Sequence, residues 1–225
     1  DDRIFDKHPQ NYIRISIPHR VESIYSNAFK NVKIGELILG INESSSGEQS
    51  QLQKIGDSAF QVKQTDESQI DKDNFCSSSS GNASDTTCEY IRSVKIPVKV
   101  ASIGNYAFKN QALSSIVFDS AQKDSGLTKI GNEAFSGNSF SMFIIPKPLT
   151  TSGASIGSKI FGDSYTLGNN VGDIYLDMDL TEDSSWHNTW CNALYGRSCT
   201  TTVTQYIASA AEDDTLKSNT ILTGF

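Results

Sequence analysis

One six-residue signature recurs five times along the chain: Ile24 to Phe29 (IYSNAF), Ile55 to Phe60 (IGDSAF), Ile103 to Phe108 (IGNYAF), Ile130 to Phe135 (IGNEAF) and Ile156 to Phe161 (IGSKIF). A unit that recurs in sequence recurs in space and buries its apolar face against its neighbours, because one copy alone cannot enclose it. Self-similarity therefore constrains this chain more than any single residue does.

The intervals between copies are regular. Each signature is followed, and the first also preceded, by a short apolar segment with strand character: Ile15 to Pro18, Leu37 to Leu39, Val94 to Pro97, Ile116 to Phe118, Phe143 to Pro146 and Ile174 to Leu176. Phe29 to Leu39, Phe108 to Phe118 and Phe135 to Ile145 are each 10 residues, and Ile17 to Ile24 and Ile96 to Ile103 are each 7. Elsewhere extra residues enter after the strand or after the signature Phe, in segments rich in Ser, Gly, Asn and Asp. Such composition supplies little packing surface, and closing a longer loop costs little more than a short one, so a stack accommodates it.

Residue types within the unit have physical reasons. The signature Ile and Phe are expected to stack on their equivalents in a continuous buried ladder. Gly56, Gly104, Gly131 and Gly157 are expected either at a positive φ or where a Cβ has no room. Tyr25 and Ile160 break the pattern in the first and last copies, where a neighbour is missing. Pro18, Pro97 and Pro146 close their strands, lacking an N–H to continue a ladder. No GxGxxG or GxxxxGK sequence is present, so the glycines do not read as a phosphate loop.

The pattern is fullest in Val94 to Asn110 (VKIPVKVASIGNYAFKN) and runs on through Gln111 to Phe118 (QALSSIVF). It resembles the BspA-like, Treponema-type leucine-rich repeats, over roughly residues 12 to 177, and its uninterrupted unit of 22 residues falls in the roughly 20 to 29 typical of leucine-rich repeats. It departs from them where Gln111 replaces a frequent Cys and where Asp119 and Asp177 replace the strand-closing Pro. The resemblance implies a leucine-rich-repeat solenoid, β-rich, with parallel strands on the concave face and turns and short helical or 3-10 segments on the convex face. It further implies a secreted or cell-surface protein that adheres to host proteins or other cells. The expected organisation is a solenoid over 1–176 with a disulfide-containing insertion at 62–90, then a C-terminal capping segment over 177–225.

Composition fits that setting. The net charge is -7, from 26 acidic and 19 basic residues, with no basic run, which argues against nucleic acid as a partner. No apolar run approaches the ~18 residues that cross a bilayer, so no membrane insertion is expected within the chain. It opens at Asp1 without Met, as a processed or excised piece would. The four cysteines form two local pairs, Cys76 with Cys88 and Cys191 with Cys199, read as two disulfides that staple Ser-rich loops. A zinc site from His187, Cys191 and Cys199 is the alternative, without a fourth ligand or CxxC spacing. Two sequons, at Asn42 and Asn82, lie in insertions and would be used only in a eukaryotic source.

The segment from Asp177 onward leaves the repeat and carries Trp186 and Trp190, which read as a cover for the last apolar face or, alternatively, as a sugar-binding platform. The cluster Asp177, Asp179, Glu182 and Asp183 lacks the Gly of an EF-hand loop, so no metal site is assigned. His8, His19 and His187 sit in no nucleophile or metal motif, and no pair of carboxylates is brought to glycosidase separation by the pattern. The chain is therefore expected not to be an enzyme and to use no cofactor.

What remains is a recognition surface. Side chains alternate across a strand, so with Ile116 and Phe118 inward, Val117 points outward. The same phase gives an outward row of Ser16, Ile38, Lys95, Val117, Ile144 and Tyr175, flanked by Arg14, Glu36, Ser93, Ser115, Met142 and Asp173. Ile38, Lys95, Val117, Met142, Ile144 and Tyr175 are the candidate protein-binding residues, the last four forming an apolar patch. The rival reading of that patch is simple strand preference for β-branched and aromatic residues, or cover by a loop. The expected role is adhesion to a host matrix or cell-surface protein; a glycan-binding module through Trp186, Trp190 or Tyr175 and a spacer within a larger surface protein are the alternatives.

Overall fold

The computed structural model describes residues 5–7, 13–41, 49–63, 76–78, 86–88, 90–119, 126–146, 149, 153–162, 170–177, 203–206 and 219–222. Its strands are labelled in chain order. β1 (Phe5–Lys7), β2 (Ile13–Pro18), β3 (Ser23–Ile24), β4 (Glu36–Ile41) and β5 (Lys54–Ile55) lie in the first third. β6 (Cys76–Ser78) and β7 (Thr86–Cys88) form a hairpin within the long insertion. β8 (Ser93–Ile96), β9 (Ser102–Ile103), β10 (Ser115–Phe118) and β11 (Lys129–Ile130) follow. β12 (Ser139–Ile145), β13 (Ser155–Ile156), β14 (Asn170–Asp177), β15 (Val203–Tyr206) and β16 (Asn219–Leu222) complete the series.

The chain is a leucine-rich-repeat solenoid of parallel strands. The apolar segments between signatures form the broad face, β2 on β4, β8 on β10 and β12 on β14, each pair parallel. Their registers match residues that the fixed spacings set equivalent: Ile17 with Leu39, Ile96 with Phe118, Ile145 with Leu176. The hydrogen-bonded ladder is interrupted between β4 and β8 and again between β10 and β12. Both interruptions fall where the sequence inserts extra residues between consecutive units. β1 pairs antiparallel with β2 and blocks the first edge of this face, a strand the repeat pattern does not announce. At the other end β16 pairs antiparallel with β14, and β15 with β16.

The signatures build a second, five-stranded parallel sheet, β3, β5, β9, β11 and β13, two residues per strand, that spacing alone does not reveal. Ile24, Ile55, Ile103 and Ile130 from it are buried, and turns carry each chain on to its Phe. Phe29, Phe60, Phe108, Phe135 and Phe161 form an unbroken stack, with centroid separations of 5.3, 5.2, 5.8 and 6.3 Å. Phe140 and Phe143 meet the last two rings at steep angles and close the core there.

The turns hold each other by two ladders. Main-chain N–H groups of one copy donate to carbonyls of the next, as in Asn27 to Asp57, Ser58 to Asn105 and Tyr106 to Asn132. Beside them the third signature residue accepts from its equivalent one copy on: Ser26 Oγ from Asp57 N–H at 3.2 Å, and Asp57 Oδ1 from Asn105 N–H at 2.8 Å. Asn105 Oδ1 accepts from Asn132, and Asn132 Oδ1 from Ser158, both at 2.8 Å.

The signature glycines are there for space. A Cβ on Gly104 would lie 2.5 Å from the Asp57 nitrogen and 2.6 Å from the Gly56 carbonyl carbon, and one on Gly131 2.5 Å from the Gly104 carbonyl carbon. Positive φ belongs instead to the fourth signature residue in all five copies: Asn27, Ser58, Tyr106, Glu133 and Lys159, at φ 50 to 62. A left-handed non-glycine residue is costly by itself, and persists here because the ladders determine the turn from its sides. Tyr25, in the first signature of this sequence, meets no such crowding among the described residues, and its side chain is 81% exposed.

Each strand-closing Pro also starts a turn: Pro18, Pro97 and Pro146 carbonyls accept from Val21, Val100 and Leu149 at 3.0 to 3.1 Å. Asp119, at the corresponding place, does what Pro cannot and donates its N–H to Ile96 O at 2.7 Å.

Gln111 and Asn138 are buried amides at equivalent positions. Gln111 donates Nε2 to Phe60 O and accepts from Ile91 N–H at 3.1 Å, so one side chain ties both ends of the long insertion. Asn138 does the same one copy later, donating to Phe108 O at 2.9 Å and accepting from Leu113 N–H at 3.0 Å. Gln111→Leu strands two buried backbone groups and is expected to lower stability by about 1–3 kcal/mol in urea unfolding.

Candidate interaction face

The outward row of the broad face is set by the alternation of its strands. Ile15, Ile17, Leu37, Leu39, Val94, Ile96 and Ile116 are buried, which turns the residues between them outward. Their backbones pair in the order expected: Ser16 with Ile38, Lys95 with Val117, Ile144 with Tyr175. The flanking row pairs likewise, Arg14 with Glu36, Ser93 with Ser115 and Met142 with Asp173.

Val117 is 50% exposed, one of three large apolar side chains open to solvent among the described residues. Ile38 is half-buried, and Lys95 is exposed and pairs with Asp119 at 3.0 Å. An ion pair this open to water contributes little to stability and leaves Lys95 free to change partner. Arg14 and Glu36, at 3.3 Å, form a similar pair across β2 and β4. Met142, Ile144 and Tyr175 stand on β12 and β14, but their side chains lie outside the described ones. β10 lies beside β12 without a ladder between them, so the four-residue patch spans a seam in the sheet.

A second seam, between β4 and β8, opens into a cleft of about 250 Å³ beside Lys95, walled by Gly40, Ser50, Pro97 and Asp119. The sequence reading missed this cleft, since Ser50 and Asp119 belong to segments read only as loops. The one advance signal is Asp119 in place of a strand-closing Pro.

Cys76 and Cys88 stand directly opposite each other in the β6–β7 hairpin. Cys191, Cys199, His187, Trp186, Trp190 and the sequon residues Asn42 and Asn82 lie outside the described residues, as does His8. Among the described residues no three His, Cys, Asp or Glu side chains cluster to hold a metal ion, and no helix is long and apolar enough to cross a membrane.

The chain matches the family model described as BspA type leucine rich repeat region, in six copies over residues 2–75 and 78–176. No curated protein and no solved structure matches it significantly. Members of such repeat families are typically non-catalytic scaffolds for protein binding, often associated with the cell surface.

Proposed function

The chain belongs to the BspA-type leucine-rich repeat family, and from that premise we propose that it is a non-catalytic, secreted or cell-surface module adhering to an extracellular protein of a host or neighbouring cell. Contact is made through the concave face, by Val117 with Ile38, Lys95, Met142, Ile144 and Tyr175. The observation that carries this reading is Val117: a branched apolar side chain half open to water on the broad face, beside the seam to β12, where contact with a partner removes it from solvent. Its partner in register supplies a charge, Lys95, and the position equivalent by sequence spacing across the seam, on β12, is the apolar Ile144.

The test is capture from extracellular-matrix and cell-surface extracts by the chain and by Val117→Glu. The variant is expected to lose at least about tenfold in affinity, the scale of an interface residue whose truncation costs more than about 1.4 kcal/mol. Its melting temperature is expected to stay within a degree or two of the parent, since Val117 already faces solvent. Equal capture by the two forms rejects this face.

In the same setting the residues from 177 onward act as a cap, a reading supported by the antiparallel strands β16 and β15 beside β14. The opposed backbones of Cys76 and Cys88 support a disulfide in the insertion, at a site where an oxidising compartment closes it. Intact-mass analysis after alkylation without reduction is expected to leave both thiols unlabelled; labelling of both refutes that bond.

A further inference from the structure

The chain has no basic run in its sequence, yet the stack assembles a basic row. The residues just ahead of each signature Ile are Cα partners across all five strands of the second sheet: Ser23, Lys54, Ser102, Lys129 and Ser155. Each precedes an inward Ile, so the row points away from the core. Lys54 and Lys129 are exposed, and neither makes an ion pair among the described residues. Two strand spacings, at about 4.8 Å each, separate their backbones, with the half-buried Ser102 between them.

A third cation joins them. Lys99 is exposed and donates Nζ to Gln51 Oε1 at 2.8 Å, drawing its ammonium towards the copy that carries Lys54. Among the described residues, Glu22 lies at the first-copy end of the row, and Asp57 is engaged by the N–H of Asn105.

We propose that this row binds a linear anionic polysaccharide laid along the stack, independently of the broad face. Charge complementarity carries the proposal: in a chain of net charge -7, Lys54 and Lys129 stand in register on one face and make no ion pair among the described residues. The row alternates ammonium and hydroxyl, a donor on every strand, which suits a polymer bearing both carboxylate or sulfate groups and free hydroxyls. Its cations recur at roughly twice the strand spacing, the period of a polymer charged once every two or so sugar rings. A nucleic acid, charged about every 3.4 Å along each strand, would leave most of its phosphates unmatched.

The test is affinity chromatography of the full chain on immobilised chondroitin sulfate at low ionic strength. The parent is expected to be retained and released by salt. The double variant Lys54→Gln, Lys129→Gln is expected to bind about tenfold or more weakly. A control that removes two exposed lysines elsewhere, Lys30→Gln with Lys63→Gln, is expected to elute with the parent. Melting curves of both doubles, matching the parent, tie any difference to the surface. The proposal is overturned if the parent flows through, if both doubles weaken equally, or if immobilised single-stranded DNA retains the parent as well as chondroitin sulfate does.

Discussion

Phe108→Ala is expected to lower the unfolding free energy by about 3–5 kcal/mol, the cost of deleting a fully buried aromatic ring from a core that cannot collapse around the gap. Phe108 has ring neighbours on both sides, Phe60 at 5.2 Å and Phe135 at 5.8 Å, and no exposed surface. In a stack whose copies touch only their neighbours, stability is a sum of unit and interface contributions, so removal of this ring weakens two interfaces at once. Phe29→Ala provides the contrast. Phe29 is only partly buried and lies at the first-copy end of the stack, against Phe60, so its loss is expected to be clearly smaller. Equal losses at the two positions, measured by denaturant unfolding, would mean the ladder does not couple the copies.

Gly104→Ala is expected to be the most damaging change of a single methyl, at or above the upper end of the about 1–3 kcal/mol seen when atoms are forced into a packed core. The obstacle is main chain: the Asp57 nitrogen and the Gly56 carbonyl carbon belong to the adjacent coil and cannot rotate away as a side chain would. Relief requires the coils to part, which strains the Asp57 to Asn105 bond and the Phe stack together. Gly153→Ala, whose added Cβ meets nothing within 4 Å, is the matched control and is expected to be neutral or slightly stabilising. Unfolding curves of the two variants decide it; a neutral Gly104→Ala would mean the coils are farther apart than the structure has them.

What the sequence made legible was whatever repeats as a residue type. Ile, Gly and Phe return at fixed spacing, so the buried ladder and the register of β2 with β4, β8 with β10 and β12 with β14 follow from counting. Alternation then gives the inward and outward sides, as Val94 and Ile96 buried beside exposed Lys95 illustrate.

What repeats only as a function was not legible. Ser26, Asp57, Asn105 and Asn132 have in common an acceptor oxygen and little else, and the left-handed residues Asn27, Ser58, Tyr106, Glu133 and Lys159 share no side-chain chemistry at all. Gln111 read as a missing Cys, while its role is to clasp Phe60 and Ile91 across an insertion. The row containing Lys54 and Lys129 has the same character, since its members lie in different copies and meet only through the strand pairing. On the candidate face, counting found the row but not the two seams, since extra residues also separate β12 from β14 and their ladder is kept.

Between the turns, the N–H groups of alternate residues such as Asn27, Phe29 and Asn31 reach towards the following coil, while those of the signature glycines, as in Gly56 to Ile24, reach back to the one before. In the first coil the carbonyls corresponding to those of Asp57, Ala59 and Gln61 belong to Ser26, Ala28 and Lys30, and among the described residues nothing donates to them. Each junction between coils is thus a two-way exchange, carbonyls receiving from one side and glycine N–H groups giving to the other. A segment seated on the first coil's edge would meet three carbonyls on alternate residues of a turn and, beside them, the N–H positions that Gly56 and Asp57 use to reach back one coil later.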